Sequence, residues 1–175
     1  MQFRPDPAPF ARVLSPALSR LLASLAAAGV VSTGLLAGCA RSDANVSAEK
    51  TAPTVLRVSS DGEFLAFTPQ ELTCRAGERV RVIFHHAGQR LPQDHNWVLA
   101  APGTAEAVMQ AGIAAGQPNS FVPPRDPRVL AATPLCGRGA EATVEFTAPA
   151  PGDYPFVCTF PGHGAEMRGV LHVTR

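Results

Sequence analysis

The chain is poor in aromatic residues, which make up 6% of its 175 positions, with one tryptophan and one tyrosine. It also lacks an excess of charge of either sign: Lys+Arg is 15 against Asp+Glu at 14. That balance removes the electrostatic ground for binding nucleic acid or an acidic polymer. Four cysteines are too few and too scattered for a disulfide-rich mini-protein. No internal repeat is visible. What is plentiful is proline (17) and glycine (15), which favour many turns over a helical bundle. The length suits one domain with a sizeable core better than two.

Three zones follow along the chain. Residues 1–38 carry Arg4, Arg12 and Arg20, then an uncharged apolar stretch from Leu21 to Gly38 that ends Leu36-Ala37-Gly38 directly before Cys39. A basic region, an apolar region and a small-residue cleavage site are the parts of an export signal. The Leu-Ala-Gly-Cys ending resembles the lipobox of bacterial lipoproteins, which implies that Cys39 becomes the lipidated first residue of the mature chain. The reading is therefore a signal peptide over 1–38 and a lipid-anchored linker over 39–53. Residues 40–53 have no apolar period, and such a segment has a typical end-to-end distance of about 20 Å. The protein is expected to be exported to the bacterial periplasm or cell envelope and held at a membrane.

From residue 54 to 175 the pattern is that of an all-β domain. Val55-Leu56-Arg57-Val58, Arg79 to Phe84 and Ala142 to Phe146 place apolar residues at every second position, and Val170 to Val173 does so less cleanly. Period two gives a strand one buried and one wet face. Gly77, Gly88, Pro149-Ala150-Pro151-Gly152 and Pro161-Gly162 punctuate these runs as turns. Short strands with regular turns predict a β-sandwich or barrel. Thr104 to Ala115 lacks alternation, is Ala-rich and starts on a candidate N-cap, so it predicts one short helix.

The chemistry concentrates in Cys158-Thr-Phe-Pro-Gly-His163-Gly-Ala-Glu-Met167. A thiolate, an imidazole and a thioether lie within ten residues, between expected strands at Tyr154–Cys158 and Arg168–Val173. An ion cycling between Cu(I) and Cu(II) needs soft sulfur for one state and imidazole for both. A His₂Cys plane with a weak axial Met is the donor set of a blue-copper site. The second His must come from elsewhere, and His95, just before the apolar run Trp97-Val98-Leu99, is the best candidate. A chance match to this Cys-His-Met spacing has a probability of about 0.002 over the chain, which favours a real site.

Three segments, His95-Asn96-Trp97-Val98-Leu99, Asp126-Pro127-Arg128-Val129 and Cys158-Thr-Phe-Pro-Gly-His163 with Met167, resemble azurin and its close cupredoxin relatives in order and separation. The resemblance runs from about residue 63 to the C-terminus. It implies a cupredoxin-like Greek-key β-sandwich with one short helical insertion, here Thr104–Ala115. It implies one copper ion held by His95, Cys158 and His163, with Met167 axial and the backbone carbonyl of Asp94 opposite, at a position where azurins carry glycine. It further implies that the Asn96 side chain ties the ligand loops together, and that the N–H groups of Asn96 and Phe160 point at the Cys158 sulfur. Such outer bonds orient ligands and tune the metal.

The function implied is single-electron transfer without catalysis, by a monomeric domain that exchanges electrons with redox proteins such as c-type cytochromes or terminal oxidases and reductases. Contact in azurins is made around the exposed ligand His, here His163. Gln93, Asp94 and Glu166 give that rim a more acidic character and predict salt-sensitive association. An alternative is a copper-delivery lipoprotein without redox turnover, but three methionines are few for such a role. A nitrite-reductase-type enzyme needs a second copper position, which His85, His86 and His172 do not form in any obvious way. Of the remaining residues, Trp97 and Met109 read as packing, His172 as a surface residue and His86 as a partly exposed non-ligand. Cys74 and Cys136 leave two readings open, a disulfide, which an exported chain could keep, or two buried thiols.

Overall fold

The structure is a computed structural model and describes residues 52–62, 64–88 and 93–175. The expected signal peptide, Cys39 and all but the last two residues of the linker lie outside the described residues. Among those described, nine strands and one α-helix occur in the order β1 (Thr54–Ser60), β2 (Phe67–Thr68), β3 (Glu71–Arg75), β4 (Arg79–His85), β5 (Val98–Ala100), α1 (Ala105–Ala115), β6 (Val129–Ala132), β7 (Glu141–Thr147), β8 (Gly152–Val157) and β9 (Arg168–Thr174). They form two sheets, ordered β2-β1-β4-β7 and β3-β9-β8-β5-β6. The β1–β4 and β3–β9 pairs are parallel and the others antiparallel. This is the expected all-β sandwich with one helical insertion.

The alternating runs became strands for the stated reason. On β4, Val80, Val82 and Phe84 are fully buried while Arg79, Arg81 and His85 face outward. Across the interior, Phe67 meets Phe84 and Phe156 edge-on, with ring centroids 5.8 and 5.3 Å apart. Trp97 packs between Phe146 and Phe156. These rings join the two sheets, a geometry in which aromatic pairs add to burial. Trp97 is core, as expected, although its Nε1–H is buried without an acceptor.

β5 breaks the alternation because it is covered on both sides. Leu99 belongs to the main core, and Val98 and Ala100 pack with Val108 of α1 in a second cluster. The helix begins one residue after Thr104, whose backbone carbonyl accepts from Val108 N–H. Its side chain does not cap the helix as expected; Thr104 Oγ1 donates to the Ala101 carbonyl instead. Cys74 lies within β3, where Leu72 and Cys74 are the buried positions. Cys74 and Cys136 are both free and buried, so the structure chooses two thiols over a disulfide.

Candidate metal centre

One end of the sandwich gathers the chemistry. β4 ends there at His85, β8 ends there one residue before Cys158, and β9 begins there one residue after Met167. His95 is fixed by a two-way backbone bridge to Cys136: His95 N–H donates to the Cys136 carbonyl at 3.1 Å, and Cys136 N–H to the His95 carbonyl at 2.7 Å. The loop from Cys158 to Met167 folds back on itself. His163 N–H donates to the Phe160 carbonyl, Met167 N–H to the His163 carbonyl, and Cys158 N–H to the Met167 carbonyl. Sixty-odd residues of sequence separation between His95 and the loop are thereby closed by strand pairing.

His95, Cys158 and His163 are buried together with their donor atoms within 4.8 Å of one another. The two Nδ1 atoms stand 3.0 Å apart, and Cys158 Sγ lies 3.9 Å from His95 Nδ1 and 3.8 Å from His163 Nδ1. A circle through three atoms so spaced has a radius of about 2.1 Å, the length of a bond from imidazole nitrogen to a first-row divalent ion. The donor set therefore fits one transition-metal ion, and its softness fits copper. Met167 is fully buried and shares the core cluster with Cys158.

The surroundings prepare these groups. Burial lowers the pKa of His95 to about 3, helped by the neighbouring His86 and His163, and lowers that of His163 as well. Both rings are neutral at pH 7 and free to offer a lone pair. Burial pushes the Cys158 thiol up to about 11, while the backbone N–H groups of Asn96 and Phe160 act the other way by donating to its sulfur. The Asn96 side chain is a strut: its Oδ1 accepts from Thr159 N–H at 2.8 Å, and its Nδ2 donates to Thr159 Oγ1 at 2.8 Å and to the Ser120 carbonyl at 2.7 Å. It joins the His95 segment to the Cys158 loop and also to the segment after α1.

His86 departs from expectation. It is fully buried, not partly exposed, and its ring lies against that of His95 with centroids 4.5 Å apart. Its Nδ1 accepts from Gly88 N–H at 3.1 Å, which leaves Nε2–H to donate to the Gln93 carbonyl at 2.8 Å. The Ser60 hydroxyl also lies 3.5 Å from Nδ1, and such polar partners make a buried ring tolerable. His172 is a surface residue paired with Asp153 at 2.7 Å, and Met109 packs from α1 against the ligand loop at Gly164, both as expected. Asp94 is half-buried, with its Oδ1 beside Gly137. Asp126 and Arg128 form an ion pair with Nη2–Oδ2 at 2.5 Å, and the Arg128 N–H donates to Asp126 Oδ1. This makes the Asp-Pro-Arg-Val segment the turn into β6. Sequence reading missed Cys136 as the partner of His95, and no local signal pointed to it.

Comparison with known proteins agrees with this geometry. The family model described as copper binding proteins, plastocyanin/azurin family, matches residues 53–174. Auracyanin-A of Chloroflexus aurantiacus is 39% identical over 123 residues, covering 69% of this chain and 75% of that protein. An azurin of Methylobacillus flagellatus is 36% identical over 118 residues, covering 64% and 80%. Among solved structures, that of auracyanin A, described as a "blue" copper protein, superposes with a TM-score of 0.64 at 38% identity, over 70% of this chain and 100% of that one. With a copper-type donor set at the end of a matching sandwich, the chain belongs to the plastocyanin/azurin family and is an azurin-like blue copper electron-transfer protein.

Proposed function

We propose that His95, Cys158, His163 and Met167 would hold one copper ion, with the Asp94 backbone carbonyl as a further donor beside them. The observation that carries this reading is the convergence of His95 Nδ1, Cys158 Sγ and His163 Nδ1 in one buried cluster. Copper bound there supplies a one-electron Cu(I)/Cu(II) couple. The chain's own residues do the rest. The bridge to Cys136 and the Asn96 strut hold the donors in place, so little needs to move when charge changes. The N–H groups of Asn96 and Phe160 stabilise negative charge on Cys158. Burial keeps water out, and His163 itself is only 6% exposed.

The protein is a carrier and not an enzyme. Its partners are redox proteins such as c-type cytochromes or terminal oxidases and reductases, met at the rim of His163, Gln93, Asp94 and Glu166. It works in the bacterial periplasm or cell envelope, exported and tethered to a membrane through lipidated Cys39. Supporting the carrier over a copper-delivery role is the enclosure of the donors, since release favours an open site. A spectrum of the copper-loaded protein with a redox titration tests the centre. The expected result is an intense band at about 600 nm, as for a Cu(II)–thiolate bond, that vanishes in Cys158→Ser. A colourless wild-type protein overturns it. For the tether, Cys39→Ser is expected to release the protein from membranes, and unchanged membrane retention counts against the anchor.

A further inference from the structure

Two side chains, Arg168 and Met109, meet the turn carrying His163 and Met167 at one residue, Gly164. Arg168 reaches back four residues, and its Nε and Nη2 both donate to the Gly164 carbonyl, at 2.8 and 2.6 Å. Met109 of α1 crowds the same residue: a β-carbon on Gly164 would lie 1.9 Å from its Sδ and 2.7 Å from the Cys158 carbonyl. The backbone bonds of the turn leave this point open. Glu166 N–H and Met167 N–H both donate to the His163 carbonyl. Among the described residues neither the Gly164 carbonyl nor the Ala165 N–H pairs with another backbone group. Arg168 itself starts β9, where pairing with Val157 fixes its backbone. A guanidinium offers a planar, always-charged fork whose donors keep their relative geometry, and its bonds are charge-assisted.

We propose that Arg168 is a positioning residue for the metal centre: by holding the Gly164 carbonyl, at a residue that Met109 already crowds, it sets how His163 and Met167 stand relative to each other. The proposal rests on the ligand assignment above. Since the axial thioether is the weakest donor of the set, its approach is the part of the geometry most easily changed by a shift of the turn. A lysine at this position would offer a compact point charge and not the fork.

The test uses Arg168→Gln and Arg168→Lys in the full chain, with two readouts. In the metal-free protein, hydrogen exchange at the Glu166 and Met167 amides is expected to rise about tenfold or more in Arg168→Gln, as a charged hydrogen bond is lost from a local opening unit. Arg168→Lys should fall between. In the copper-loaded protein, the Cu(II) electron paramagnetic resonance pattern and the reduction potential should both shift in Arg168→Gln, while the unfolding midpoint of the metal-free domain hardly moves, because Arg168 is exposed. Wild-type exchange in Arg168→Gln overturns the proposal. Faster exchange with unchanged spectrum and potential overturns it too, since the clamp would then act on the turn alone. If Arg168→Gln fails to fold, Arg168→Lys decides by the same readouts. Exchange is read without copper, so a wild-type protein that lacks the blue band defeats the ligand assignment and is not mistaken for failure of the clamp.

Discussion

Burial makes the Cys158 thiol a weaker acid and the His95 ring a weaker base, and the two effects bound the pH range of the metal-free protein. His95 titrates at about 3 when folded and near 6.5 when unfolded. Between those values the unfolded chain holds the extra proton, so stability falls as pH drops from about 6.5 toward 3. Cys158 titrates at about 11 when folded, against 9.0 in the free thiol. Its contribution is complete below pH 9 and is lost as pH rises toward 11. Denaturant midpoints of metal-free protein across pH should show a plateau between these limits and a fall on each side; a midpoint flat from pH 7 to 4 would contradict the His95 shift. Asn96 gives a second prediction at this scale. Asn96→Ala leaves the buried Thr159 N–H without its acceptor and removes both donor bonds, a loss of about 2–4 kcal/mol. Urea titration of the metal-free protein measures it, and a loss within error of zero would mean that the strut carries no load.

At the scale of elements, α1 shows how closely the helical insertion fits the loops beneath it. A β-carbon on Gly112 would stand 2.2 Å from the Phe121 carbonyl oxygen and 3.2 Å from Thr159 Cβ. Alanine normally favours a helix over glycine by about 1 kcal/mol, yet Gly112→Ala should lower the melting temperature, because overpacking costs about 1–3 kcal/mol. A raised melting temperature would show that the helix can move off. The strands differ in how readable they were. β1, β4 and β7 alternate because each has one wet face. β3 also alternates, but with only Leu72 and Cys74 inward its signal is short and one of its two inward residues is a weak hydrophobe. β5 has every residue buried, so period two cannot show.

For the whole molecule, near-zero net charge leaves partner selection to local fields. The proposed contact rim includes Asp94 and Glu166 and would be acidic. Electron exchange with a cationic redox partner should slow as ionic strength rises from about 0.01 to 0.15 M, over which the screening length shrinks from roughly 30 to 8 Å. Stopped-flow rates measure this, and a rate indifferent to salt would sink the idea. No helix of the described residues is long and apolar enough to cross a membrane.

The Cys158–Met167 ligand spacing was set by the sequence itself, because three donors within ten residues need only a turn to face inward. So were the alternating strands, whose period is a property of the extended chain. The tertiary structure alone decided what lies across long separations. It seated His86 against His95, gave His95 its backbone partner in Cys136, kept Cys74 and Cys136 apart as free thiols, and turned Asn96 into a strut for three segments. Each of these depends on which strands pair and on how two sheets close over a shared core. Arg168 stands between the two cases: its place next to Met167 and its reach to Gly164 are local, but the crowding of Gly164 by Met109 comes from a helix more than fifty residues earlier.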